Sequence, residues 1–210
     1  RYLDARRVDS ELPLARLPVE PRGADETVSS ETGAWVLWML EQQVGREGMQ
    51  ARLRAFIERF RGSLDHPAIP DLIETLRPAD AAAAKDFQAF VDSWFLEVVL
   101  PEIRLSEVDV RQVEGGFHVA ATLENVGTGT VPVVVSARRE EPFGDARTTV
   151  ELSSGRSRRI EWTVPFEPSR LVVDPDALVL QRSRVDLRLP QGRERFSSQA
   201  IGGKRSQGTR

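Results

Sequence analysis

The chain has 210 residues, a formal net charge of −3 and no cysteine. This length is enough for one large or two small domains with a sizeable hydrophobic core. The lack of cysteine excludes disulfides and thiolate chemistry, and the acidic balance gives no reason to expect nucleic acid as a partner. The longest apolar run is far shorter than the roughly 20 residues that cross a bilayer. Because residue 1 is arginine and not methionine, we expect a fragment or a processed product of a longer protein.

Residues 1–27 predict a truncated lead-in followed by a loop. The opening R-Y-L-D-A-R-R mixes apolar and basic residues at helical spacing but has no residue that could cap a helix. Pro13 then moves its predecessor into extended geometry. Pro18, Pro21 and Gly23 lie among charged residues, a composition typical of a loop.

The segment Ser29–Gly45 predicts a helix that is buried nearly all round. It opens with hydroxyl residues that can cap a helix, runs through seven consecutive apolar residues from Ala34 to Leu40, and ends at a glycine. A surface helix has one apolar stripe, whereas this one is apolar on most sides. We therefore expect it to lie inside a body larger than itself.

Three further helices are predicted before residue 100. The second has apolar residues at three- and four-residue steps, and one glycine separates it from the first, which favours a helical hairpin. The third is short and begins at a proline, and the fourth presents an aromatic face. The predicted bounds are Arg46–Arg61 with Met49, Leu53, Phe56, Ile57 and Phe60; Asp71–Leu76; and Asp80–Phe95 with Phe87, Phe90, Val91, Trp94 and Phe95.

Beyond Leu100-Pro101 the apolar period changes from about 3.6 to 2 residues, which predicts β-strands. Turn residues separate the alternating segments. The predicted strands are 117–124, 131–137, 147–152, 158–164, 171–173 and 178–181. Together the segments predict an α+β chain, with a helical region of about four helices over 28–100 and a small antiparallel β-sandwich over 101–189. The tail 190–210 is poor in apolar residues, and we expect it to be disordered.

The residues that could carry chemistry do not form a catalytic pattern. The two histidines, His66 and His118, lie in separate regions without H-E-x-x-H spacing, so we interpret them as turn and surface residues and not as zinc ligands. No serine lies in a G-x-S-x-G turn. We therefore predict no catalytic, metal-binding or cofactor-binding residue within this chain.

Charged residues at turns and on one predicted strand do not indicate a catalytic or binding site either. The carboxylate pairs Glu140-Glu141 and Asp174/Asp176 could act as acid and base, but turn residues in water explain them better. The basic run Arg156, Arg158 and Arg159 on one predicted strand is a short stripe in an acidic chain, and it is a weak indication of nucleic-acid binding.

Several of these segments together resemble the M1 family of zinc aminopeptidases. The residues are Y-L-D-A-R-R, E-L-P-L, S-E-T-G-A-W-V-L-W-M-L-E-Q-Q-V-G-R-E, D-L-I-E-T-L and F-x-x-F-V-D-x-W-F, the last leading into L-P and a strand. The pattern is most similar to M1-like domains fused to permease segments of bacterial ABC transporters. The resemblance covers about residues 1–105. The segments E-N-V-G-T-G and V-D-P-D-A-L-V-L-Q look like the sandwich that ends some of these proteins.

The resemblance implies that the zinc ligands precede Arg1 and lie outside this chain. In the family motif Y-x-K-G-A the tyrosine donates a hydrogen bond to the oxyanion. The matching positions here are Ser30 for the tyrosine and Thr32 for the lysine. A serine hydroxyl is too short to take the place of a phenol, and losing an oxyanion donor costs about 3 kcal/mol. We interpret Ser29 or Ser30 as a helix cap and not as a catalytic residue.

Three functions remain open from the sequence. The first is the non-catalytic C-terminal part of an M1-like metallopeptidase, which would wall the substrate cleft and brace it with the β-sandwich, beside an upstream catalytic part that holds zinc. The second is an inactive peptidase-like module that binds a peptide or a membrane transport complex. The third is an unrelated helical domain joined to a sandwich that binds carbohydrate or protein. Compartment and membrane association are not determined by this sequence.

Overall fold

The computed structural model describes residues 12–18, 24–64 and 66–190. They form two compact units, one helical and one made of β-strands. The helical unit contains the described residues up to Pro101 together with Asp176–Arg182, and the second unit contains Glu102–Pro175 and the described residues from Ser183 onward. Four main helices are followed by two antiparallel sheets, so the predicted α+β fold is confirmed. The predictions for residues 1–11, for the loop 19–23 and for the tail after 190 concern residues outside the described part.

The helical unit has the four predicted helices. They are α1 (Gly33–Val44), α2 (Arg46–Phe60), α3 (Ile69–Leu76) and α4 (Ala81–Trp94), and a 3₁₀ turn at Leu14–Arg16 precedes them. Gly45 alone joins α1 to α2 and has a φ of +77°, a conformation that glycine adopts without a steric cost. Asp80 caps α4, because its carboxylate accepts a hydrogen bond of 2.9 Å from the Ala83 N–H.

The start of α1 differs from the prediction. An α-helical turn at Ala24–Thr27 and a π-helical segment at Val28–Thr32 run directly into α1. Thr27 precedes the π-helical segment and Thr32 precedes α1, and both residues have helical dihedral angles. An N-cap residue needs non-helical dihedral angles, so the interpretation of Ser29 or Ser30 as a cap is wrong. Both serines lie within a continuous helical run.

Burial confirms the predicted apolar face of α4 and corrects the predictions for α1 and α2. All five apolar residues predicted for the α4 face are buried. On α1, Val36, Met39 and Leu40 are buried but Trp38 is 41 % exposed, so the expected burial on all sides is wrong for this unit. Of the five residues predicted as the apolar face of α2, only Met49 is buried, and Ile57 is 58 % exposed.

The second unit has seven strands in two sheets. The strands are β1 (Ile103–Val113), β2 (Gly116–Asn125), β3 (Thr130–Arg139), β4 (Gly144–Ser153), β5 (Ser157–Val164), β6 (Arg170–Val173) and β7 (Asp186–Arg188). One sheet has the order β1-β2-β5 and the other β4-β3-β6-β7, and every pairing is antiparallel. The predicted strand at Leu178–Gln181 is wrong. That segment belongs to the helical unit, where the neighbouring Arg182 N–H bonds the Pro101 carbonyl at 2.8 Å.

Alternation along the strands builds the core of the sandwich. Val119, Ala121 and Leu123 on β2 are fully buried, and Val131, Val133, Val135 and Ala137 on β3 are buried as well. Ala120, on the opposite face of β2, is also fully buried. It lies between Asp109 and Glu161 in the ladder, and these longer side chains flank its methyl group.

Asn125 fixes the turn between β2 and β3. It is fully buried, and its side-chain oxygen accepts hydrogen bonds from the N–H groups of Gly127 at 3.0 Å and Glu102 at 3.3 Å. Its amide nitrogen donates to the Gly129 carbonyl at 3.1 Å. One side chain therefore joins the turn to the residue just before β1.

Candidate functional site

Ser30, which the M1 resemblance would match to a tyrosine, lies on an exposed stripe. It is in the π-helical segment, and four-residue steps along the helix lead from it to Ala34, Trp38 and Gln42, all of which are exposed. We call these four residues the outer stripe. The stripe places the Ser30 hydroxyl on the same side of the helix as the half-exposed Trp38 ring.

Thr32, which the M1 resemblance would match to a lysine, points inward. It is 7 % exposed, and among the described residues its hydroxyl has no hydrogen-bond partner. The residue lines a small recess that is otherwise formed by Leu12, Pro13, Leu14, Val28, Trp94, Glu97, Val98 and Val99. The water-accessible volume of the recess is about 10 Å³, enough for about one water molecule. This recess is too small for a cofactor or a peptide side chain.

The two histidines belong to different units. His66 is an exposed residue before α3, in the helical unit. His118 lies on β2 on the face opposite to the core, where its side chain is 18 % exposed and its Nε2 atom is 3.5 Å from a Glu161 carboxylate oxygen. No group of three or more histidine, aspartate or glutamate side chains that could hold a metal ion occurs among the described residues.

Ion pairs cover the outer face of the three-stranded sheet. Arg159 donates to Glu161 at 2.8 Å and lies 3.9 Å from Glu107. The hydrogen bond from Arg159 is the main cause that lowers the pKa of Glu161, and the same bond raises the pKa of Arg159. Glu107 also accepts a hydrogen bond of 2.7 Å from the Thr122 hydroxyl. These groups neutralise one another on an exposed surface.

The predicted basic stripe is not formed. Arg156 lies before β5, and Arg158 and Arg159 are consecutive residues of β5, so their side chains point to opposite faces of the sheet. Arg159 is already paired with carboxylates. These three arginines therefore do not make one surface for a nucleic-acid backbone.

A polar cluster on the four-stranded sheet was missed by the sequence analysis. The buried Ser136 hydroxyl donates to Asp145 at 2.5 Å, and Arg147 lies 2.8 Å from the same carboxylate. The hydrogen bond from Arg147 is the largest cause that lowers the pKa of Asp145, and the Ser136 bond and the charge of Arg138 lower it further. Since Ser136 is completely buried, it cannot attack a substrate. The cluster stabilises the pairing of β3 with β4.

One of the acidic turn residues is not solvated. Asp174 is 5 % exposed with a φ of +51°, and an Arg184 guanidinium nitrogen lies 2.5 Å from its carboxylate. The prediction of a solvated residue is therefore wrong for Asp174, while Asp176, Glu140 and Glu141 are exposed. The D-P-D turn is consistent with the positive φ of Asp174, because aspartate tolerates the left-handed region better than most residues, but it does not predict the burial of this side chain.

Comparison with known proteins does not assign this chain to a family. No family model matches the sequence, and no curated protein matches it. Within the described residues, no helix is long and apolar enough to cross a membrane.

Proposed function

We propose that this chain is the C-terminal, non-catalytic part of an M1-like zinc metallopeptidase-related protein. Its helical unit walls the substrate cleft. The zinc ligands lie upstream of Arg1. The observation that carries the proposal is the outer stripe, where the family's tyrosine position and an exposed tryptophan share one side of a helix.

Exposed apolar surface on the helical unit supports a missing neighbour. A tryptophan that is 41 % exposed leaves a substantial part of a large ring in water, and Ala34 beside it on the outer stripe is exposed as well. Trp38 lies two helical steps from Ser30 on the outer stripe. Any body that covers Trp38 would therefore also lie close to Ser30, as the catalytic half of a peptidase would.

Ser30 limits the activity that the whole protein could have. A serine hydroxyl at this position cannot reach the place that a tyrosine phenol would take, and the loss of an oxyanion donor costs about 10²–10³ in rate. The proposal therefore includes a weak or absent peptidase activity even where zinc is bound upstream.

The first experiment measures zinc content and aminopeptidase turnover on the purified chain. The proposal expects neither stoichiometric zinc nor turnover. Either one would contradict it, because the chain would then hold an active site of its own.

The second experiment adds the polypeptide encoded upstream of Arg1 to this chain and follows tryptophan fluorescence and turnover. We expect binding with a blue shift from Trp38, and weaker binding by Trp38→Ala. If the upstream part holds zinc, Ser30→Tyr should raise turnover, whereas Ser29→Tyr, one residue off the outer stripe, should not. An upstream sequence without H-E-x-x-H would refute the proposal.

The alternative is a peptidase-like module that has lost catalysis and binds a peptide or a membrane transport component. Serine at the tyrosine position favours it, because binding a peptide does not need an oxyanion donor. Cleavage of aminoacyl substrates by the full-length protein would rule this alternative out, while peptide binding without cleavage would favour it over the first proposal.

A further inference from the structure

We propose that two copies of this chain associate head to tail, with the β3–β4 hairpin of one copy docking on the exposed end of α2 in the other. The docking elements are the hairpin tip, residues Glu140, Glu141, Pro142 and Phe143, and the α2 patch, residues Arg54, Ile57 and Arg61. The proposal does not depend on the peptidase resemblance.

The hairpin tip presents an exposed aromatic ring on a fixed turn. Phe143 is 75 % exposed. On one side of the turn, the Arg139 Nε–H donates to the Pro142 carbonyl at 2.8 Å, and the Arg139 guanidinium lies 5.0 Å from the centre of the Phe166 ring. An Arg170 nitrogen lies 3.1 Å from the Glu140 carboxylate. Because these contacts already order the turn, docking of Phe143 would lose little conformational entropy.

Gly144 holds the base of the same turn against the core. A Cβ atom at this position would come within 2.8 Å of the Phe166 ring, which is buried. The backbone therefore packs directly on an aromatic core residue at the point where the tip begins. The tip therefore projects from a base that is packed on the core of the sandwich.

The α2 patch is an apolar side chain between two cations. Ile57 is 58 % exposed, and Arg54 and Arg61, three residues before it and four after it, are exposed as well. Residues at these spacings are neighbours on a helix surface. An Arg61 guanidinium nitrogen lies 3.3 Å from a carboxylate oxygen of the exposed Glu58. Phe60, at the next step along the helix, extends the apolar surface, since its side chain is only half buried.

The tip and the patch complement each other in both polarity and charge. The tip has an apolar ring next to two exposed carboxylates, and the patch has an apolar side chain next to two exposed guanidinium groups. Contact would bury Phe143 against Ile57 and bring Glu141 toward Arg54 or Arg61. Since each copy carries both a tip and an α2 patch, a second copy can supply the patch for the tip of the first copy and the tip for its patch. The contact is small, so the association is weak and depends on concentration.

The test is sedimentation velocity of the whole chain from about 10 μM to about 1 mM, the range expected for a small contact. We expect the weight-average sedimentation coefficient to rise with concentration and to fall as salt is added. Phe143→Ser and Ile57→Ser should each abolish the rise. Leu96→Ser, at an apolar residue that is 48 % exposed elsewhere on the helical unit, should leave it unchanged. The three side chains are exposed, so melting curves should match that of the parent chain.

Mixing separates a head-to-tail contact from other kinds of association. The Phe143→Ser chain keeps its α2 patch and the Ile57→Ser chain keeps its tip, so an equimolar mixture should form dimers and nothing larger although neither variant associates alone. Glu141→Arg and Arg54→Glu, which leave both apolar side chains in place, should each weaken association and restore it when mixed. A chain that stays monomeric over the whole range, or association that survives both serine variants, would overturn the proposal, and the tip would then serve a different partner.

Discussion

Asn125→Ala is the most informative perturbation of the sandwich. The substitution removes three hydrogen bonds at once, from the N–H groups of Glu102 and Gly127 and to the carbonyl of Gly129. Each hydrogen bond contributes about 1 kcal/mol net to stability. Because Asn125 is fully buried, water does not simply replace its side chain. We expect the free energy of unfolding of the sandwich to fall by about 3 kcal/mol.

The assay must report on the sandwich alone, since the chain has two compact units. Hydrogen exchange of peptides from β2 and β3, measured over a urea series, meets this need. Thr130→Ala is the matched control. It removes one exposed hydrogen bond of 3.0 Å to Ser153 beside the same turn, and it should cost less than about 0.5 kcal/mol. A loss below about 0.5 kcal/mol for Asn125→Ala would refute the reasoning that this side chain fixes the turn.

Three further outcomes follow from described contacts. Gly144→Ala should destabilise the sandwich by about 1–3 kcal/mol, because the new Cβ atom meets the Phe166 ring. Gly48→Ala should instead stabilise the helical unit by roughly 0.5–1 kcal/mol, because a Cβ atom at this position of α2 enters open space. Thermal melts of both variants check that the two effects have opposite signs. Asp145→Asn should lower the free energy of unfolding at neutral pH. Since the pKa of Asp145 is lowered in the fold, the stability that this carboxylate contributes is complete above the unfolded pKa of about 3.9 and is lost as the pH falls through the lowered value. A difference in urea midpoint between the variant and the parent chain that is the same at every pH would contradict this. Asp80→Ala should cost about 1 kcal/mol through loss of the α4 cap, with the neighbouring exposed Ala81→Ser as a near-neutral comparison in the same melts.

Local patterns predicted the four helices and five of the seven strands, but not β1 or β7. The aromatic face of α4, the short α3 with its leading proline and the alternation along β2 all follow from spacing within one segment, and each is confirmed. Leu178–Gln181 reads as a strand for the same local reason, yet it lies in the helical unit. A short apolar run says that a segment is buried but not what it is buried against.

The serines before α1 show a second limit of local patterns. A hydroxyl residue before an apolar run predicts a cap, but Ala24–Thr27 and the π-helical segment extend the helix past Ser29 and Ser30. The charged and polar pairs of the sandwich could not be predicted from local patterns either. Asp145 meets Ser136 only through the register of β3 with β4, and Asp174 meets Arg184 across ten residues of chain. Such contacts depend on tertiary structure, and no spacing rule in the sequence encodes them.

The irregularity in β1 has a consequence for solubility. β1 is 11 residues long and forms one edge of its sheet, and a long regular edge is a template for pairing with the strands of other molecules. Between Ser106 and Asp109 the register with β2 shifts, and Glu107 has a φ of +49°. This bulge interrupts the row of backbone donors and acceptors and places a charge at the break. The edge is thereby protected against strand-by-strand aggregation, and straightening it by deletion of Glu107 would expose an uninterrupted ladder to every neighbouring molecule.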